Sequence, residues 1–249
     1  MRKQENILLA SSDFNIYFLS ENDELLQLKE ELLKAIDEDE DVLLFSSSIY
    51  LLNEHKIHVI SPFRNASSFL KEYIDSIKIQ HYNNYHVHLI DDCSTEEYDI
   101  STLIDSKITL KVNPIRKFAL QNIIEILMTN AYEDEDIICF VDADDVLLHE
   151  HVFELINSVY SNDSNLFMTY RAMTYYNSER KNQKLDNRSK KEEFDRFRQS
   201  PWKVDHLRTF KYKLFKEFVA VDCNLNSLED EVCEIIRMPY DMAILFTLI

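Results

Sequence analysis

A chain of 249 residues with 45% apolar content is long enough to bury a full core, as one large or two small domains. Its net charge of −18 excludes nucleic acid as a partner, because most of the surface repels phosphate. Glycine is absent, where an average usage of about 7% would supply on the order of 17. That excludes the dinucleotide fingerprint and the P-loop, which both need glycine backbone around a phosphate. It also leaves turns with positive φ to Asn, Asp or strained residues, as in a recoded or designed sequence.

No apolar run reaches the length of a membrane span, and Met1–Asn6 lacks the apolar segment of a signal peptide. The expectation is a protein without a transmembrane segment, with room for peripheral membrane contact. Cys93, Cys139, Cys223 and Cys233 show no metal-type pairing and read as reduced thiols, which predicts a cytoplasmic location. Basic residues concentrate in one stretch: Glu179 to Lys216 holds 13 Lys/Arg against 6 Asp/Glu.

Residues 1–55 read as an N-terminal extension packed on a main domain of residues 56–249. The extension holds a short strand at Asn6–Ala10, a helix from Glu24 to Ile36 with a leucine stripe, and a strand at Val42–Phe45. The main domain opens with a strand, Ile57–Ile60, that ends in Ser61-Pro62-Phe63-Arg64-Asn65, where Asn65 is placed to cap the next helix. Phe69, Leu70, Tyr73, Ile74 and Ile77 share one face of that helix. Gln80–Tyr85 makes the return turn with Asn in glycine's place, and Val87–Ile90 is a strand running into Asp91-Asp92. Ile108–Val112 is a third strand, and a helix follows from about Arg116 to Met128.

Ile137–Val141 is a strand buried on both faces that stops at Asp142-Ala143-Asp144-Asp145. Alternating strands and helices predict an open, mainly parallel α/β sheet. A buried parallel strand ending in Asp-x-Asp puts two acids at the carboxyl edge, where such sheets keep their ligands. Hard oxygen donors there suit Mg²⁺ or Mn²⁺ holding a diphosphate.

Four stretches in this order, Ser61–Ala66, Ser76-Ile77-x-x-Gln80-x-Tyr82-x-Asn84, Ile90–Thr95 and Val141–Asp145, resemble glycosyltransferase family 2. Trp202–Phe210 and Met238–Ala243 resemble later segments of some members. The resemblance implies the GT-A fold, a mixed but mainly parallel sheet flanked by helices, and inverting transfer from a nucleotide sugar, with a UDP-sugar the expected donor, to a glycan or other hydroxyl acceptor. It implies a nucleotide subsite of Pro62, Phe63, Arg64, Asp91, Asp92, Lys117 and Asp142, with Arg64 against the base and Asp92 accepting a uracil N–H. Asp144, with Asp142, is the expected ligand of Mn²⁺ or Mg²⁺. Arg116 opens the same helix entry as Lys117, where the family usually has glycine and this chain has Lys117-Phe118-Ala119. The resemblance implies a catalytic base at the start of a late helix, with Asp230 the first choice and Glu231 the second, in a stretch read as helical to Arg237.

His206 reads either as a phosphate contact or as a plain strand residue. The basic stretch from Arg180 to Arg198 reads as a loop beside the site. His86 with His88, and His149 with His151, read as structural pairs, because no third ligand is evident. The missing glycines and early C-terminus leave a second reading, a non-catalytic nucleotide-sugar binder or engineered scaffold with the same fold.

Overall fold

The β-branched and aromatic runs pair into one six-stranded sheet in a computed structural model that describes residues 54–170 and 207–248, together with a strand pair at 7–8 and 17–18. Of the strand predicted in the extension at 6–10, the described residues form β1 (Ile7–Leu8), antiparallel to β2 (Tyr17–Phe18). The predicted helix from Glu24 to Ile36 and strand at Val42–Phe45 lie outside the described residues. The chain forms two compact units, 1–52 and 53–249.

In the second unit, β3 (Ile57–Phe63), β4 (Tyr85–Asp91), β5 (Ile108–Val112) and β6 (Ile137–Phe140) run parallel in the order β5-β4-β3-β6. The sheet is completed by β7 (Met168–Thr169) and β8 (Arg208–Lys211), with β8 antiparallel to both β6 and β7. The expected mixed, mainly parallel sheet flanked by helices is therefore present.

Alternation along the strands divides the core into two layers. Ile57, Val59, Val87, Leu89, Ile137 and Cys139 face α1 (Leu70–Lys78) and α3 (Val152–Asn162). Ile60, Ile90, Ile138, Phe140 and Phe210 face α2 (Ala119–Thr129), α4 (Tyr212–Val221) and α5 (Tyr240–Leu248). Leu70, Tyr73, Ile74 and Ile77 are all fully buried on α1. At this three-and-four spacing, burying each such side chain stabilises the fold by about 1.5–3 kcal/mol relative to exposure.

Three local expectations are corrected. Asn65 does not cap α1, which begins at Leu70; its own φ is 54°, and its Oδ1 accepts N–H from Thr95. Asn65 thus ties two loops at the carboxyl edge together. Asn83 and Asn84 do not replace glycine, since neither has positive φ; that conformation falls on Asn65, Cys93, Phe118, Leu225 and Cys233. The third helix entry is later than expected: α2 starts at Ala119, so Arg116 and Lys117 lie in the loop before it.

Period-two spacing puts His58, His86 and His88 on one side of the sheet, as expected for the strand pair. His58 Nδ1 lies 3.4 Å from His88 Nε2, and His58 Nε2 lies 3.3 Å from Asp136 Oδ2. The Tyr132 hydroxyl meets His88 Nε2 at 3.4 Å. Burial, aided by His86, His58 and Lys56, pulls the His88 pKa down to about 3, and burial lowers that of His86 as well. The unfolded chain therefore binds more protons than the folded one between about pH 3 and the ordinary histidine value near 6.5. Stability should rise with pH across that window. Going from pH 7 to pH 5 should cost about 2 kcal/mol through His88 alone, read as a lower urea midpoint. His88→Gln should flatten this dependence; an equal slope in the variant would assign it elsewhere.

Candidate active site

The carboxyl ends of β3 and β6 are adjacent because these strands pair directly. Between them lies a cavity of about 240 Å³ lined by Pro62, Phe63, Arg64, Asn65, Ala66 and Phe69 on one side, and Asp142, Ala143, Asp144 and Tyr240 on the other. The cavity brings together Pro62, Phe63, Arg64, Asp142 and Asp144 from the sequence reading. Asp144 is exposed and Asp142 is partly buried.

Tyr240, the first residue of α5, donates its hydroxyl to Asp142 Oδ1. Burial and the neighbouring Asp142 carboxylate hold the Tyr240 pKa well above its ordinary value. The phenol is therefore a fixed donor, and it locks one carboxylate oxygen of the Asp-x-Asp in place. The next residue, Asp241, receives the buried Arg208 at 2.9 Å, which anchors α5 to β8 beside the sheet edge. The sequence reading included Tyr240 in the later segment Met238–Ala243 without giving it a role. No local signal links it to Asp142 across so long a stretch of chain.

The Asp91-Asp92 pair serves the loops around the cavity. Asp91 Oδ1 accepts the Ser94 N–H at 2.8 Å, and Oδ2 accepts the Tyr98 hydroxyl at 2.7 Å. Asp92 Oδ1 receives the Lys117 N–H at 2.7 Å, Asn122 Nδ2 at 2.9 Å and Asn113 Nδ2 at 3.3 Å. Its Oδ2 receives the Phe118 N–H at 2.9 Å, with Arg116 Nε at 3.8 Å. Burial alone would raise the pKa of this carboxyl; the donors from Lys117, Asn122, Phe118 and Asn113 outweigh it and hold the pKa below the ordinary value. The carboxylate expected to meet a uracil N–H is thus largely taken up by the loop that leads into α2.

That loop passes through Phe118 at φ 68° and ψ 164°, a region essentially reserved for glycine that costs on the order of 1–3 kcal/mol elsewhere. Phe118 lies within Lys117-Phe118-Ala119, the helix entry where the family resemblance implies a glycine. The Phe118 ring is covered by two guanidinium groups, Arg116 at 4.1 Å and Arg237 at 4.9 Å, each contact worth about 0.5–1 kcal/mol. The Lys117 ammonium is held by Glu125 at 2.8 Å, and Lys111 shares the same carboxylate. Glu125 would be raised by burial, but the two lysines and Gln121 bring its pKa down to about 2.

Asp230 and Glu231 do not open a helix. Residues 229–235 form a turn closed by a bridge between Glu229 and Ile235. Asp230 Oδ1 organises it by accepting N–H from Val232 at 2.9 Å and from Glu234 at 3.1 Å. The dense acids that suggested a helix start instead satisfy turn N–H groups, a local competition in which Asp often prevails. Glu231 is an exposed residue of the same turn. His206, the segment from Trp202 to His206 and the basic stretch Arg180–Arg198 lie outside the described residues.

The family model "Glycosyl transferase family 2" matches residues 58–220. The chain belongs to glycosyl transferase family 2. Solved structures similar to this family member include Staphylococcus aureus TarS, 13% identical over 66% of this chain and 29% of that one, with a TM-score of 0.47. TarS 1–349 in complex with UDP is 14% identical over 77% of this chain and 54% of that one, with a TM-score of 0.49. A mannosyltransferase from Pyrobaculum calidifontis in complex with GDP-Man and Mn²⁺ is 17% identical over 69% and 50%, with a TM-score of 0.45. The chain therefore spans between under a third and about half of the length of these structures. Comparison with curated proteins gives no match. Among the described residues no helix is long and apolar enough to cross a membrane.

Proposed function

We propose that this chain is a metal-dependent, inverting glycosyltransferase that moves a sugar from a UDP-sugar to an acceptor hydroxyl. The observation that carries the reading is the cavity at the carboxyl edge, where the Pro62–Ala66 loop faces Asp142 and Asp144. Pro62, Phe63 and Arg64 form the base side of the nucleotide subsite, and Arg64 offers a planar cation for stacking. Asp91 and Asp92 support that subsite by holding the 93–95 and 116–118 loops, with Lys117 contributing through its backbone.

Asp142 and Asp144 line one cavity and supply only hard oxygen donors, which fits Mn²⁺ or Mg²⁺. A cation held by Asp142 and Asp144 would supply positive charge to a diphosphate leaving group. The Tyr240 hydroxyl orients Asp142 for this task. The base that takes the acceptor proton is assigned to the acidic pair Asp230-Glu231. Glu231 ranks ahead of Asp230, whose Oδ1 is occupied by two turn N–H groups. The thiols of the four free cysteines fit a cytoplasmic setting.

The test is thermal stabilisation by UDP with Mn²⁺ and with EDTA. At 100 times its dissociation constant a ligand of the folded state contributes about 2.7 kcal/mol, and the shift should vanish in EDTA because the acidic cavity repels a bare diphosphate. An equal shift in EDTA would remove the metal from donor binding. Binding without turnover of any UDP-sugar in Mn²⁺ would favour a non-catalytic binder.

A further inference from the structure

The opposite edge of the sheet carries a second cluster of potential metal ligands. Helix α1 runs back from the carboxyl edge, and the loop after it, which contains His81, leads into the start of β4. The segment after the Asp-x-Asp descends along α1, with the Leu147 N–H donated to Ser76 Oγ at 3.1 Å, and reaches the same loop before α3 begins. There His81, His151 and Glu154 each present a ligand atom, all within 4.8 Å of one another. His151 precedes the first residue of α3 and Glu154 lies in its first turn, so the two share one side of the helix entry. The sequence showed no third ligand beside His149 and His151; the fold brings His81 and Glu154 next to His151, with His149 outside the group.

The two chain segments are fixed against each other before any ion arrives. The His81 N–H donates to the Glu150 carbonyl at 2.9 Å, and Gln80 Nε2 donates to the His149 carbonyl at 2.7 Å. The Phe153 N–H returns a bond to Gln80 Oε1 at 3.2 Å, and Gln80 itself is buried. The rings of His81 and His151 meet edge-on at 4.5 Å, and His151 Nδ1 lies 2.5 Å from Glu154 Oε2. Glu150 Oε1 stands 3.6 Å from His151 Nε2 and is a further oxygen donor at the rim.

We propose that His81, His151 and Glu154 form a binding site for a divalent transition cation of the Zn²⁺ type, separate from the donor cavity. Two imidazoles and one carboxylate are the donor set such ions select, whereas Mg²⁺ and Mn²⁺ favour all-oxygen sites. Zinc ligands lie about 2.0–2.2 Å from the ion, so the three donor atoms must draw together. The exposed His81 has the freedom to do so, while the hydrogen-bonded backbone beneath it stays fixed. Bound metal staples the start of α3 to the loop between α1 and β4 and stabilises the fold by binding it alone.

The experiment is calorimetric titration of Zn²⁺ into the full, metal-stripped chain, with visible absorption of Co²⁺ as a report on coordination. Three variants are compared: His81→Ala, Glu154→Gln and Asp144→Asn. The expected result is one tight Zn²⁺ site per chain, retained in Asp144→Asn and apart from any weaker uptake by the donor cavity, with at least tenfold weaker binding at that site in His81→Ala and in Glu154→Gln, and loss of the Co²⁺ band in His81→Ala. Circular dichroism checks that each variant is folded. Absence of Zn²⁺ binding by the parent would overturn the site, as would unchanged binding in His81→Ala. Loss of Zn²⁺ in Asp144→Asn alone would return the ion to the donor cavity.

Discussion

Asp144→Asn is expected to abolish sugar transfer while leaving the fold intact. The amide keeps the size of the side chain and removes the charge that a hard cation requires. Asp144 is exposed at the cavity rim, so thermal melting without ligand should be unchanged. Lewis-acid stabilisation of a departing diphosphate is worth several kcal/mol, so turnover should fall by roughly 10³-fold or more. The measurement is kcat with saturating UDP-sugar at several Mn²⁺ concentrations. Asp142→Asn serves as the comparison, because that side chain is also bound by the Tyr240 hydroxyl and its loss should disturb α5 as well. Most of the activity surviving in Asp144→Asn would take this residue out of the metal site.

The parts of the molecule written in local pattern were legible in the sequence, and the parts made by distant chain segments were not. Ile137–Phe140 forms a buried strand because four consecutive apolar residues can be satisfied only between two covered faces. At the resulting edge Asp142 and Asp144 line one cavity with Pro62–Arg64. Tyr240 and His81 were missed as partners, since each meets its acid or imidazole through tertiary packing that has no local signature. The acidic run at Glu229–Glu231 misled for a physical reason: carboxylates at a helix start and carboxylates in a tight turn both accept backbone N–H groups. Composition predicted the consequence of lacking glycine, though not the bearers, for among the described residues only one of the five positions with positive φ is Asn.

Phe118 occupies a region essentially reserved for glycine, and Asp92 accepts the N–H groups of Lys117 and Phe118 that hold it there. Asp92→Ala should therefore destabilise the domain by about 3–5 kcal/mol, since it strips the shared acceptor from a set of buried donors. The Lys117 and Phe118 N–H groups and the amides of Asn113 and Asn122 all lose it. Asp92→Asn should cost less than Asp92→Ala, because one carbonyl oxygen remains to receive the Oδ1 or the Oδ2 donors. The acid dependence has a fixed sign. The folded pKa of Asp92 lies below the ordinary carboxyl value, so its contribution is complete above that value and is lost as pH falls through the folded one. Urea midpoints of the parent and both variants at pH 7 and pH 3 check all three statements. The strain at Phe118 supplies a control within the same loop. Phe118→Gly removes a conformational cost on the order of 1–3 kcal/mol but also the ring beneath Arg116 and Arg237, so in the parent background its net effect should be small. In the Asp92→Ala background the loop no longer has an acceptor to hold it in the strained conformation, and Phe118→Gly should recover little. A loss under 1 kcal/mol in Asp92→Ala would show that the loop is held by other contacts.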